Sequence, residues 1–405
     1  MIGSLIKTAR CLFYKYPQIN EDIVGTSSFG NLKVALLTDY LTSVNISYEC
    51  RIKCLTVKNY STVLKEWHPD IIFIESAFHG FNWSWSYKLA KHPKIFDVNY
   101  LKHFKKLINL AQDLKIPTVF WNKDDGAFFE TFIEAASLCD YIYTADSSSI
   151  VRYKNYLYSR SSLEPQEIST NFQNYFNDTQ QNIKDSSSLN TSVLADGLKF
   201  KVGNQFIGLM KMAIQPRIHC FKGFNFSKKA ICFAGSYYRR ILDTRRLFLN
   251  DIFSVCAERD VQLDIFDRNS NRISRNLDFK FPKFKNINVL PKLSNEQTAD
   301  AYRQYHVSLN VNSITDSETM CSRRLLEIIA CGGIVATNNS KAVENLFKDY
   351  CVVINSKEEA MELLPNMVLT PSKENLEKAQ AGSIYVSQNF SWEKRLEQLA
   401  EDLKF

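Results

Sequence analysis

Residues 306–333 read HVSLNVNSITDSETMCSRRLLEIIACGG. A short apolar, β-rich run over His306–Asn312 gives way to a polar loop, then to a helix-patterned stretch over 321–331 that stops at Gly332-Gly333. Strand, loop and helix in one stretch are half of a βαβ unit, the building block of a parallel sheet. Ser322 or a neighbour is placed to cap the helix, and the glycine pair to end it. Upstream, ICFAGSYYRRILDTRR at 231–246 repeats the pattern as strand, tight Gly235-Ser236 turn and helix.

The same alternation runs through the chain twice. In the second half, strand candidates Ala230–Ala234, Val261–Phe266, His306–Asn312, Gly333–Thr337 and Cys351–Ile354 are separated by helical stretches at 243–258, 294–304 and 321–331. In the first half, Lys33–Thr38, Asp70–Glu75, Pro117–Asn122 and Asp140–Thr144 read as strands. Asn99–Leu114 and Phe128–Leu138 read as helices there, with Pro117 marking an exit into a strand. The fold class this predicts is α/β, two Rossmann-like domains whose parallel sheets face across a cleft, with ligands outside the carboxyl ends of the strands. The domains divide as 1–215, carrying a polar insertion at Ser159–Gly203, then 216–388, then a C-terminal helix over 389–405 that packs back on the first domain.

Composition narrows the function. With 405 residues, 45% hydrophobic and 23% charged, the chain has the length and apolar content for two or three folded domains. The net charge of +7 is spread along the sequence without a basic block, which favours a small anionic ligand over nucleic acid. Ten cysteines without a CxxC pair read as buried thiols in a reducing compartment. Six histidines show no paired spacing, so no metal site is expected. The first sixteen residues have Lys7 and Arg10 among apolar positions and lack the apolar core of a signal peptide, so a cytoplasmic protein is expected. They read either as a basic amphipathic helix making peripheral membrane contact or as a helix on the protein's own surface.

Arg323 and Arg324 fall in the first turn of the 321–331 helix, where positive charge opposes the helix dipole. A diphosphate held by both guanidiniums and the helix N–H groups compensates them; a surface salt bridge from Arg323 to Glu327 is the alternative. Gly235 allows close backbone approach, and Arg239, Arg240, Arg245 and Arg246 bring further positive charge to the same region. GxGxxG is absent, which disfavours a dinucleotide redox cofactor.

Seven ordered motifs, IESAFHG (74–80), PTVFWNKDD (117–125), CDYIYTAD (139–146), AIQPRIH (213–219), FAGSYYRR (233–240), FDR (266–268) and LNVNSITDSETMCSRRLLEIIACGG (309–333), resemble bacterial group 1 glycosyltransferases of the GT-B fold. Within that family the match is to the branch related to spore-maturation proteins. The resemblance implies a nucleotide-sugar donor site in the second domain, with Glu327 on the ribose and Arg323 and Arg324 near the diphosphate. The donor set it suggests is Gly235, Ser236, Tyr237, Arg239, Arg245, Asn312, Ser317, Glu318, Thr319, Met320, Ser322, Arg323, Arg324 and Glu327. Many retaining relatives have a second acid eight positions before Glu327; here Thr319 stands there, with Glu318 one residue off.

The resemblance also implies sugar transfer to a glycan or lipid-linked acceptor in lipopolysaccharide or capsule assembly, with no metal and no cofactor besides the donor. A base taking the acceptor's proton would come from the first domain, where Asp124, His79 and Glu75 are the candidates. In the alternative reading Asp124 caps the helix after it and Glu75 merely ends a strand. Phe78, Phe81, Trp83, Trp85 and Trp121 offer ring faces for a sugar or lipid, although Trp121 reads as structural. A nucleotide-sugar epimerase and a catalytically inactive sugar-binding subunit are the rival readings.

Overall fold

The computed structural model describes residues 18–91, 99–160, 199–272 and 278–405. The chain divides into two compact units, Met1–Lys211 and Met212–Phe405. The N-terminal amphipathic stretch and the 161–198 part of the polar insertion lie outside the described residues.

Among the described residues the first unit has seven strands: β1 (Lys33–Leu37), β2 (Arg51–Cys54), β3 (Ile71–Glu75), β4 (Thr118–Asn122), β5 (Tyr141–Thr144), β6 (Lys199–Val202) and β7 (Gln205–Leu209). Their order is β2-β1-β3-β4-β5-β7-β6. All pairings are parallel except β6 with β7. β3 and β4 are buried at every position, as expected of parallel strands covered on both faces. Helices α1 (Tyr40–Ile46), α2 (Lys102–Asp113), α3 (Asp125–Ala136) and α4 (Ser149–Tyr158) flank the sheet, and Ile72, Ile74, Phe104, Leu107, Phe120 and Phe132 fill its core.

Three details correct the sequence reading. Residues 199–202, assigned to the polar insertion, form β6, an edge strand with Lys199 and Lys201 exposed. That is how an edge avoids further pairing, and it is why the segment looks polar. β2 also escaped notice, because Arg51 and Lys53 alternate with its buried positions. α3 begins at Asp125, ahead of the expected Phe128, where the backbone kinks (φ −134°, ψ 29°).

The second unit holds β8 (Lys228–Gly235), β9 (Leu263–Asp267), β10 (Ile287–Pro291), β11 (Tyr305–Leu309), β12 (Val335–Asn338) and β13 (Val352–Ile354). Their order β10-β9-β8-β11-β12-β13, parallel throughout, is that of a doubly wound Rossmann sheet. β10, an edge strand absent from the sequence reading, is short and half exposed, with Asn288 breaking its apolar residues and Pro291 ending it. The helices are α5 (Asp243–Glu258), α6 (Asn295–Gln304), α7 (Arg323–Ala330), α8 (Lys341–Leu346), α9 (Lys357–Leu369), α10 (Lys373–Asn389) and α11 (Trp392–Leu403).

α7 is the helix that 306–333 announced. Ser322 caps it, its Oγ accepting the Leu325 N–H, and every residue from Leu325 to Ala330 is buried. α10 lies against it where Gly382 has no side chain; a Cβ there would stand 2.8 Å from Ile329 Cγ2. The break between α10 and α11 holds the start of the unit: Ile214 donates its N–H to Phe390 O (2.8 Å) and accepts from Trp392 N–H (3.1 Å).

Strand order reverses between β1 and β3 in the first sheet and between β8 and β11 in the second. In open α/β sheets these switch points open a crevice at the carboxyl ends of the strands. Most of the candidate residues lie at those two places.

Candidate functional site

At the second switch point β8 ends in Gly235-Ser236, and α5 and α7 each send one arginine to it. Arg245 is 5% exposed. Its Nε and Nη2 donate to Ser236 O (3.3 and 2.9 Å) and its Nη1 to Val311 O (3.2 Å), which ties the end of β8 to the segment after β11. Arg324, half-buried, donates Nε to Ala234 O (2.6 Å) and Nη1 to Asn310 Oδ1 (3.5 Å). Both guanidiniums lie by the Phe233 ring, at 4.7 Å for Arg324 and 5.7 Å for Arg245.

The glycine at 235 makes room for Arg324, since a Cβ there would stand 2.8 Å from its Nη2. All the hydrogen-bond acceptors of these two arginines are neutral. Among the described residues, no carboxylate comes within 4.0 Å of the charged nitrogens of Arg245, Arg324 or Arg268. Burial pulls the pKa of Arg245 down and Arg324 and Arg268 add to the fall. Arg324 moves the same way, first by burial. Both stay charged at neutral pH, so the switch point holds excess positive charge.

The other basic residues are spent elsewhere. Arg246 pairs with Asp243 (2.8 Å) and Arg240 with Asp278 (3.6 Å). Arg239, exposed, gives its backbone N–H to Asp278 O (3.0 Å) and its carbonyl to Arg246. Residues adjacent on a helix point about 100° apart, and here Arg245 turns to Ser236 O and Val311 O while Arg246 turns to Asp243. Tyr237 is a second correction. Its ring packs among Phe253 and Phe281 in the core and its hydroxyl donates to Asn250 Oδ1 (2.9 Å), so its side chain is taken up by the core.

The loop from β11 to α7 is knitted by side chains. Asn312 accepts the Ser322 N–H (2.9 Å) and donates its own N–H to Asn338 Oδ1 (2.7 Å), while its buried Nδ2 has no hydrogen-bond partner among the described residues. Ser322 Oγ donates to Asn310 Oδ1 (2.5 Å), and Ser317 Oγ accepts from Met320 N–H (3.0 Å) and Thr319 N–H (3.4 Å). Thr319 is buried. Glu318 is exposed and lines an open groove of about 420 Å³ shared with Thr315, Ser340, Lys341 and Glu344.

One turn into α7, Glu327 pairs with Arg323 at 2.7 Å. This is the i,i+4 bridge the spacing allowed, but it is no surface bridge, because Glu327 is 5% exposed. Burial by itself raises the Glu327 pKa; Arg323, His219 and Arg324 outweigh it, and the net direction is downward. His219 has its own pKa pushed below 6.5, chiefly by burial, and is neutral at pH 7. The charge that keeps Glu327 ionised is therefore that of the arginines.

At the first switch point the candidates separate. Glu75 is fully buried and accepts from Asp39 N–H (2.5 Å) and Thr42 Oγ1 (2.6 Å) while pairing with Lys123 Nζ (3.0 Å). A carboxylate so engaged and out of reach of solvent cannot serve as a base, which corrects that expectation. Lys123, despite burial, has its pKa raised by Glu75, Asp39 and Asp124.

Asp124 is half-buried, accepts from Ser76 Oγ (3.1 Å) and makes no side-chain cap to α3. His79 is half-buried too, its ring stacked on Trp83 (3.8 Å, 24°) and its Nδ1 3.2 Å from Ser86 Oγ. Trp85 and Trp121 are core residues whose indole N–H groups donate to Leu55 O and Met210 O. Among the described residues, no cluster of three or more His, Cys, Asp or Glu is suited to a metal, and no helix is long and apolar enough to cross a membrane. Burial pushes the thiols of Cys54, Cys232 and Cys256 up to about 12, so they are poor nucleophiles.

With that geometry in hand, a match to a protein-family description, "Glycosyl transferase-like", spans residues 252–401. The matched segment contains Arg268, the β11–α7 loop, Arg323, Arg324 and Glu327, whereas Gly235, Ser236 and Arg245 precede it. No curated protein sequence matches the chain.

Among solved structures, the chain is similar to HepE from Anabaena, solved with UDP and glucose (9% identity, 92% of this chain and 91% of that one, TM-score 0.47). It is similar to a TarM mutant from S. aureus (12%, 85% of this chain but 58% of that one, TM-score 0.46). It is also similar to sucrose-phosphate synthase from Thermosynechococcus elongatus (10%, 92% and 99%, TM-score 0.43). At such identities the chemistry has to come from this chain's own residues.

Four residues of the arrangement were not singled out from sequence. Asn269, just past β9, donates Nδ2 to Ser236 Oγ (2.9 Å), and Arg268 beside it donates its N–H to Gly235 O (3.0 Å). The FDR motif at 266–268 was the available signal for both. Asp39, after β1, accepts from Gly80 N–H (3.0 Å) and lies 4.0 Å from Lys123. His219 gave no signal beyond its place in AIQPRIH, because nothing in spacing links residues 219 and 327.

Proposed function

We propose that the chain transfers a sugar from a nucleoside-diphosphate donor to a hydroxyl of a glycan or lipid-linked acceptor. The observation that carries this reading is the pair Arg245 and Arg324, two guanidiniums at a Rossmann switch point whose hydrogen-bond acceptors are all neutral. An anion with several acceptor oxygens completes such a site, and a diphosphate fits it. In this reading Arg324 and the more exposed Arg323 hold the diphosphate, Arg245 fixes the Gly235-Ser236 turn, and Glu327 accepts from the ribose hydroxyls.

As the sugar–oxygen bond breaks, the leaving diphosphate gains negative charge. Guanidiniums held against the bound diphosphate lower that barrier. We assign that charge compensation to the arginines and to no metal ion, and place the reaction in the cytoplasm, in the assembly of a surface polysaccharide. Asp124 and His79 are the candidate bases for the acceptor hydroxyl. The membership of a spore-maturation-like branch and a hexosyl substrate belong to the same proposal.

Thermal unfolding with nucleoside diphosphates and their sugars tests it. A ligand at 100 times its Kd adds about 2.7 kcal/mol of stability. The expected result is a shift in the wild type that is absent in Arg324→Ala; an equal shift in both removes the arginine site.

A second reading has one observation in its favour. Thr319 is buried and Glu318 lines the neighbouring groove, so no carboxylate stands eight residues before Glu327. A protein that binds a nucleotide sugar without transferring it fits that. Release of free nucleoside diphosphate from a bound nucleotide sugar in the presence of acceptor separates turnover from binding alone.

A further inference from the structure

His219 is fully buried, and neither of its ring nitrogens has a hydrogen-bond partner among the described residues. A buried polar atom left unpaired costs free energy, and such atoms call for an explanation in the working cycle. The backbone that carries the ring is tied on both sides. The His219 N–H donates to Gln215 O (2.8 Å), and Arg303 donates to Ile218 O (2.9 Å) and Cys220 O (3.0 Å). Upstream, Ile214 is pinned to the α10–α11 break.

From that position Nε2 lies 3.9 Å from Glu327 Oε1. Besides Glu327, the charged groups acting on the ring are Arg323, Arg303 and Glu296.

We propose that His219 is a positioning residue for Glu327, donating its Nε2–H to the carboxylate once a nucleoside diphosphate is bound. This rests on Glu327 serving the ribose. Arg323 keeps 28% of its side chain exposed and is the close cation of Glu327. Bound phosphate draws Arg323 toward it and loosens that ion pair. The carboxylate then needs another donor to keep its remaining lone pairs toward the ribose. His219 closes the gap to the ~2.9 Å of a hydrogen bond and, being neutral, orients the carboxylate without competing for the phosphate.

The test is equilibrium binding of UDP, GDP, ADP, CDP, TDP and inorganic pyrophosphate to the full chain by calorimetry. Pyrophosphate lacks the ribose, so it reports the arginines alone. His219→Phe is expected to bind the preferred nucleoside diphosphate about tenfold more weakly, the loss of one hydrogen bond to a charged group, with pyrophosphate binding unchanged. His219→Gln, whose amide nitrogen reaches the place of Nε2, is expected to restore nucleoside binding.

Wild-type affinity in His219→Phe together with weak nucleoside binding in Glu327→Gln removes the role of His219 and leaves the donor site standing. Wild-type affinity in both variants removes the ribose role of Glu327 itself. Should His219→Phe not fold, His219→Asn decides: its shorter amide stops at the Nδ1 position, so it is expected to bind more weakly than His219→Gln, and equal affinities overturn the proposal.

Discussion

The two switch points occupy equivalent places in their sheets and hold opposite electrostatic solutions. Between β1 and β3 the buried Glu75 is answered in full by Lys123, Thr42 Oγ1 and the Asp39 N–H. Between β8 and β11 the guanidiniums of Arg245 and Arg324 meet only carbonyl and amide oxygens. A closed ion pair completes itself and holds the loop ends together. An unanswered pair of cations is complete only with an anion. The strand order supplies the place, and the charge balance separates a structural cluster from a ligand site.

That contrast can be broken from either side. The largest effect is expected at Arg324: Arg324→Met should weaken nucleoside-diphosphate binding by about 100-fold or more, as charge-assisted bonds to a phosphate are lost. The same change should leave the unliganded protein no less stable, because it relieves repulsion with Arg245. A drop in unliganded Tm matching the loss of binding would make Arg324 a structural residue.

At the first switch point the order inverts. Lys123→Met strands the buried Glu75 charge and should cost about 3–5 kcal/mol in urea unfolding, while nucleotide binding is retained. A cost under about 1 kcal/mol would show that the Glu75–Lys123 pair is no structural lock.

Acid and alkali should tell the two regions apart. The folded-state pKa values of His219 and Glu327 are lowered, so the unfolded chain binds more protons than the folded one at those groups. Their contribution is full above about pH 6.5 and is lost as pH falls, first through the folded value of His219 and then through that of Glu327. Lys123 has a raised pKa, so its contribution persists through neutral pH and is lost only as pH climbs past about 10.5. Tm against pH in wild type and His219→Phe checks the acid limb, which should flatten in the variant.

The smallest change is Ser322→Ala. Removing the cap of α7 should cost about 1 kcal/mol and loosen Asn310, which also accepts from Arg324. An unchanged Tm would mean the loop holds α7 without its cap.

Local pattern determined a good deal of this protein. Strand–helix alternation gave both α/β sheets, Ser322 was legible as a cap, and Arg323, Arg324 and Glu327 were legible as one group because the period of a helix fixes who is near whom within a few residues. Edge elements were not legible: β6 and β10 expose half or more of their residues, and in β2 the half-buried Arg51 and Lys53 alternate with buried positions, so none reads as a buried apolar strand.

Charge pairing across the fold was also beyond sequence. In SYYRRILDTRR one arginine in four turns inward, and the choice of Arg245 over Arg239, Arg240 and Arg246 depends on Ser236 O and Val311 O, the latter 66 residues away. The neutralisation of Glu75 by Lys123 and the approach of His219 to Glu327 likewise join residues 48 and 108 apart in the chain. Sequence specifies which groups carry charge. Only the folded chain decides which of those charges are answered, because the answer depends on distance and burial and not on order along the backbone.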